Sequence, residues 1–202
     1  MNNLDYLIAK YQVDPTAQSP IELPGTRADL VAIFKDLGFK VGAEIGVERG
    51  LFSEQLCLAN PGVKLYCIDS WEIHQECPEY NKQHRLDKYY AEAKVRLSKY
   101  HCELIKKYSI DAIRDFAPNS LDFVYIDANH RFDFIMNDII QWSKIVRPGG
   151  IISGHDYHVQ SLFHKIKYDV IAATNTYTQA HQIHPWFILT KERSASWFWV
   201  KA

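Results

Sequence analysis

Residues 41–56 read VGAEIGVERGLFSEQL, and this stretch decides the fold. Val41 to Val47 is a short, largely apolar run of strand character. Glu48-Arg49-Gly50 closes it, and Phe52, Leu56 and Ala59 then recur at helical spacing. A strand that runs through a glycine-bearing turn straight into a helix opens a β-α-β unit. Arg49 reads as a solvated surface residue.

The same alternation continues on both sides. Upstream, Leu30, Ile33, Phe34 and Leu37 mark one face of a helix that Gly38 stops. Downstream, Pro61-Gly62 turns the chain into the strand Lys64–Asp69, and a polar, aromatic stretch from Trp71 to Asn81 follows. A helix comes next, with Leu86, Tyr90, Ala93, Leu97 and Tyr100 in register. Glu103 to Lys107 reads as a strand and Ile110 to Phe116 as a short helix. Leu121 to Asp127, LDFVYID, is a strong strand. The next helix sets Phe132, Ile135, Ile139, Trp142 and Val146 on one stripe until Pro148-Gly149-Gly150 breaks it. Ile151 to Gly154 starts a further strand, and a helix is predicted around residues 159–173, with Leu162, Phe163, Ile166 and Val170 on one side. Two last runs, Pro185 to Thr190 and Ser196 to Val200, read as a hairpin. Strands alternating with helices predict a single-domain α/β fold, a parallel sheet with helices on both faces and an antiparallel end. Residues 1–25 read as a leader that packs across the domain or covers the substrate. Residues 26–202 form the domain itself.

Composition narrows the function classes. With 23 Lys and Arg against 24 Asp and Glu and no basic run, nucleic acid is not an expected partner. No apolar stretch approaches the ~20 residues of a membrane span. MNNLDYLIAKYQ lacks a cationic segment followed by an apolar core, so no secretory leader is expected. The four cysteines, Cys57, Cys67, Cys77 and Cys102, form no C-x-x-C pair and read as free thiols of a cytoplasmic protein. The spacing of His74, Cys77 and His84 fits no zinc pattern.

In an open α/β sheet, ligands bind beyond the carboxyl ends of the strands, so what ends each strand is informative. The first ends in Glu44-Ile45-Gly46-Val47-Glu48-Arg49-Gly50, the second in Asp69-Ser70-Trp71. A later one ends in Asp127-Ala128-Asn129-His130, and the last parallel strand in Gly154-His155-Asp156-Tyr157. Together they gather several carboxylates around one crevice. A pyrophosphate would ask for G-x-G-x-x-G, and here Glu48 stands where a second glycine would be. A carboxylate there repels a pyrophosphate but suits a cofactor with a cationic amino-acid head. Asp69 can accept from the vicinal hydroxyls of a ribose, or it can cap a turn. Asp127 faces the cofactor or a metal, or caps its helix. His130 takes a proton from a substrate, or is a polar first-turn residue. His155 and Asp156 are either metal ligands or a hydrogen-bonding pair behind the site.

At these residues the chain resembles the class I S-adenosylmethionine-dependent methyltransferases. More narrowly it resembles a small family related to the macrocin-type sugar O-methyltransferases. The matching text is GAEIGVERGLFSEQL, LYCIDSW, LDFVYIDANHRF and VRPGGIISGHDY, with the closing hairpin, from about Thr26 onward. The resemblance implies a Rossmann-like, seven-stranded, mostly parallel sheet with a reversed hairpin strand. It implies that Glu44, Gly46, Val47, Glu48 and Gly50 surround the methionine part of S-adenosylmethionine. Asp69 would take the ribose, Ser70 and Trp71 would lie beside the adenosine, and Ser109 near the adenine. An Asp-x-x-His unit, here Asp127 and His130, would supply a ligand to a divalent metal such as Mg or Mn and the base. The relatives' Glu-Asp pair of metal ligands is replaced here by His155-Asp156. The implied activity is methylation of a small molecule, as O-methylation of a sugar or natural-product hydroxyl. The competing readings are a non-catalytic S-adenosylmethionine binder and a nicotinamide-dependent oxidoreductase. The tryptophans of the last hairpin, if exposed, offer a homodimer contact.

Overall fold

The computed structural model describes residues 2–74, 81–158 and 169–202. In chain order the elements are α1 (Asn3–Tyr11), β1 (Ile21–Leu23), α2 (Arg27–Asp36), β2 (Val41–Ile45), α3 (Leu51–Ala59) and β3 (Lys64–Asp69). They continue with α4 (Gln83–Leu97), β4 (Cys102–Lys106), α5 (Ser109–Ala112), β5 (Leu121–Ile126), α6 (Phe132–Ile145) and β6 (Val146–Tyr157). The chain closes with α7 (Val170–Ala180), β7 (Phe187–Leu189) and β8 (Ala195–Val200). They form one sheet in the order β1-β7-β8-β6-β5-β2-β3-β4. All neighbours are parallel except β8, which runs antiparallel to both β6 and β7. The predicted hairpin is therefore present.

Side-chain alternation sends each strand's residues to two opposite cores. Phe123 and Tyr125 of β5, Phe187 of β7 and Phe198 of β8 meet Leu7, Leu30, Phe34, Leu56 and Leu97 from α1 to α4. Phe34 stacks on Phe123 with ring centroids 4.1 Å apart. On the other face Val124, Ile126, Trp197 and Trp199 meet Ile135, Ile139 and Trp142 of α6 and Val170 and Ala173 of α7. Burying one such aromatic side chain contributes about 2–3 kcal/mol, so both faces hold the sheet.

The strand count is eight where seven were expected. The extra strand is β1, three residues of the leader that pair in register with β7 at the sheet edge. The leader is thus part of the packed domain: Leu7 and Leu23 are buried in its core. Its helix lies at the strand starts, where Asn3 donates to the Gly149 carbonyl at 2.7 Å. The carboxyl ends of the strands are on the opposite side. The hairpin tryptophans are buried, Trp197 to 0% and Trp199 to 2% exposure. A dimer contact through those rings has no surface to use. Residues 75–80, with Cys77, and the part of the predicted helix at residues 159–168 lie outside the described residues; α7 continues to Ala180, past the expected stop. Among the described residues no helix is long and apolar enough to cross a membrane.

The strand order reverses at β2, which has β3 on one side and β5 on the other. A crevice opens there, and the site is built at it.

Candidate active site

Gly46 follows β2 with φ +91°, a conformation that favours glycine. A Cβ on Gly46 would stand 2.1 Å from the Asp127 carbonyl oxygen, so the ends of β2 and β5 close on each other only because this residue lacks one. Gly50, also at positive φ, starts α3.

Asp69 at the end of β3 holds this turn in place. Its Oδ2 accepts from the Val47 and Glu48 amides at 3.0 and 2.9 Å, and its Oδ1 from the Trp71 amide at 2.8 Å. Burial raises the Asp69 pKa, and the backbone hydrogen bonds hold part of that rise back. The turn thus engages both carboxylate oxygens, and Asp69 also lines the cavity described next. Trp71, buried and at φ +45°, donates its indole N–H to the Glu48 carbonyl at 2.7 Å.

These groups line a cavity of about 570 Å³, within the usual range for small-molecule sites. Of the residues singled out in the sequence, Gly46, Glu48, Asp69, Ser70, Trp71, Ser109 and Asp127 line it. Glu44 does not. Its side chain leaves β2 toward α3, is 2% exposed and takes a short hydrogen bond from Ser53; burial pushes its pKa well up. Val47 contributes its amide to Asp69 while its side chain joins the core. Gly50 acts through the shape of the turn.

Ser109 begins α5. Its hydroxyl accepts from the Trp142 indole N–H at 2.8 Å and donates to Asp138 Oδ1. Its single hydrogen is therefore committed inside the protein. Asp138 lines the cavity and is 5% exposed, and burial pushes its pKa up to about 7 against the lowering effect of the Ser109 hydrogen bond. Sequence reasoning misses this residue. The signal is present: on the apolar stripe Ile135, Ile139, Trp142 of α6, the position three after Ile135 is an acid.

Beyond Asp127 the ends of β5 and β6 carry a second cluster. His130 Nε2 is 2.9 Å from Asp156 Oδ2 and 3.3 Å from Asp127 Oδ1. Since both contacts are to one nitrogen, that nitrogen bears a proton. Burial disfavours the charged ring, but the hydrogen bonds and charges of Asp127 and Asp156 outweigh it and raise the His130 pKa to about 10. His155 Nδ1 lies 3.3 Å from Asp156 Oδ1 and 3.7 Å from Asp127 Oδ2; burial opposes its charge, and the two carboxylates again produce a net rise. Asp156 sits at φ +57°. Burial disfavours its ionised form, but the histidines overcome this and lower its pKa. A non-glycine residue held in that region costs on the order of 1 kcal/mol and is typical of sites where geometry is imposed. One ligand atom each from Asp127, His130 and Asp156 lie within 4.8 Å of one another. The three predicted metal ligands, Asp127, His155 and Asp156, are adjacent, but His130 belongs to the compact triple. Asp127 alone lines the cavity as well, so it joins the two clusters.

A family model described as a methyltransferase domain matches residues 43–157. Among solved structures, the chain is similar to an O-methyltransferase from Bacillus cereus in complex with S-adenosylhomocysteine. The identity is 14% and the TM-score 0.61, with 98% of this chain and 89% of that one covered. It is also similar to the O-methyltransferase TomG from Streptomyces achromogenes, in complex with S-adenosylmethionine and involved in tomaymycin synthesis. There the identity is 16% and the TM-score 0.60, over 96% and 86% of the two chains. The N-methyltransferase NodS from Bradyrhizobium japonicum shares the fold too, at 14% identity and TM-score 0.56, over 87% of this chain and 94% of that one. At these identities the likeness is one of fold. An uncharacterized protein of Acanthamoeba polyphaga mimivirus is 39% identical over 57 residues, which span 26% of this chain and 26% of that protein.

Proposed function

This chain belongs to the methyltransferase-domain family, and on that premise we propose that it uses S-adenosylmethionine to methylate a small molecule, at a hydroxyl oxygen. The observation that carries the reading is the charge of the cavity. Six carboxyl side chains line it, Glu48, Asp69, Glu72, Asp127, Asp133 and Asp138, against one lysine. That lysine, Lys107, already pairs with Asp115 at 2.6 Å. Burial is the main reason that the Glu48 carboxyl is raised; Asp69 and Asp127 add to the rise, and Arg49 and Arg85 offset part of it. A cationic ligand relieves this repulsion, whereas a pyrophosphate increases it. The donor set therefore fits a sulfonium amino acid joined to a nucleoside and disfavours a dinucleotide.

When bound, S-adenosylmethionine would supply an electrophilic methyl group on a positively charged sulfur. The chain's own residues would do the rest. Asp69 Oδ1 would accept one ribose hydroxyl. Glu48 would face the cationic end, and the tight turn at Gly46 would bring backbone close to the ligand. Holding donor and acceptor in line supplies much of the rate of such a reaction. The proton of the acceptor hydroxyl would pass to the Asp127-His130-Asp156 group, which is anionic overall even with His130 protonated. Asp127 and Asp156, with His130 or His155, also suit a divalent ion such as Mg or Mn by their oxygen and imidazole donors. Such an ion would lower the pKa of an acceptor hydroxyl.

Release of S-adenosylhomocysteine across a set of hydroxyl-bearing metabolites tests this reading. At least one acceptor should give turnover. His130→Ala should lower that turnover ~10²–10⁴-fold, the usual worth of a positioned acid-base group, because it removes the ring that holds Asp127 and Asp156 in place to take the proton, with cofactor affinity nearly unchanged. Loss of activity on chelation and its return with Mg or Mn would support the ion. No turnover with any hydroxyl, alongside turnover with amines, would contradict the oxygen assignment.

A further inference from the structure

One group in the cavity has a free valence that nothing described so far uses. Asp138 is almost wholly buried, yet it lines the cavity, and among the described residues its sole hydrogen-bond partner is Ser109, at Oδ1. Its Oδ2 makes no hydrogen bond and is not among the fully enclosed polar atoms that lack one. An acceptor without a protein donor on a cavity wall points to a ligand that completes it. Ser109 cannot take this role as a donor, because its hydrogen goes to Asp138. Trp142 holds Ser109 in turn, which fixes the carboxyl plane. Tyr108, Ile110 and Phe134 line the same cavity and are more than a third exposed. Large apolar side chains around a buried hydrogen-bond acceptor suit a flat heteroaromatic ring that carries an amino group on its edge.

We infer that Asp138 is a specificity-determining residue for the nucleoside end of the cofactor, accepting through Oδ2 from the exocyclic amine of the adenine. This rests on the S-adenosylmethionine reading above and says which side chain reads the base. With the carboxyl ionised, an oxygen in place of the amine would face a carboxylate oxygen and be rejected. The burial that raises the Asp138 carboxyl toward neutral pH agrees with a group kept short of donors until a ligand arrives.

Calorimetric titration above the Asp138 pKa of about 7, with S-adenosylhomocysteine and with its deaminated counterpart, S-inosylhomocysteine, tests the inference. The wild-type protein should prefer the adenosine compound by at least tenfold. Asp138→Ala should bind the two within threefold of each other, its loss confined to the adenosine compound. Asp138→Asn, whose amide can turn a donor toward a carbonyl, should bind the inosine compound more tightly than the wild type does. Melting temperatures measured on the same samples identify a variant that is not folded. Equal affinity of the wild type for both compounds would overturn the inference while leaving the cofactor reading intact. So would variants that lose both affinities equally and keep the preference. Binding of neither compound to the wild type would overturn the cofactor reading and this inference with it.

Discussion

Asp69 shows how far a single residue can be read in advance. Its position at a strand end marks it as a site residue, and the structure puts it on the cavity. Its three backbone hydrogen bonds are not legible in the sequence, because the donors belong to a turn more than twenty residues earlier and to Trp71. Asp69→Ala is therefore expected to have two effects: at least tenfold weaker S-adenosylmethionine binding, a loss of ~1.4 kcal/mol, and a lower melting temperature from the orphaned amides. Calorimetry and thermal melts on one preparation check both, and unchanged affinity would contradict the ribose contact. Asp138 makes the complementary point, since an acid inside an apolar stripe has no strand-end context to mark it. Its folded-state pKa of about 7 lies above the ordinary 3.8. The folded chain thus holds the proton more tightly, and its stability is fully present below about pH 4 and falls as pH rises toward 7. The shift corresponds to something on the order of 4 kcal/mol. Asp138→Asn should remove this slope and raise the melting temperature at pH 8. An unchanged pH dependence would show that the carboxyl is not held in this way.

At the scale of elements, the strand-turn-helix from β2 to α3 is the most legible piece. Its apolar run, glycines and helical spacing all lie within a few turns of chain. The reason for Gly46 becomes visible only with β5 in place, since a Cβ added there would meet the Asp127 carbonyl oxygen at 2.1 Å. Gly46→Ala should thus force β2 and β5 apart, destabilise the protein by about 3 kcal/mol or more and abolish cofactor binding. A variant that melts and binds like the wild type would show that the turn has slack. Strand β1 escapes sequence reading for the opposite reason. Ile21-Glu22-Leu23 is too short to carry a period, and it is a strand because β7, over 160 residues later, offers an open edge. Glu44 reads as a ligand from its place in the motif; side-chain alternation in β2 instead turns it toward Ser53.

For the whole molecule, the α/β alternation and the closing hairpin follow from periodicity, and the sheet order puts the crevice where the strand-end chemistry converges. The tryptophans of β8 cannot be placed from sequence, because an alternating aromatic strand reads alike whether a helix covers it or water does; α6 and α7 cover it. The sequence groups Asp127, His155 and Asp156 as one set of ligands, and the fold adds His130, whose Nε2 reaches both carboxylates. The central claim is that this acidic cavity takes a cationic nucleoside in place of a dinucleotide. It is tested most directly by titrating the wild-type protein with S-adenosylmethionine and, separately, with NAD. The account predicts saturable one-to-one binding of S-adenosylmethionine and none of NAD at the same concentrations. Binding of NAD without binding of S-adenosylmethionine would contradict it.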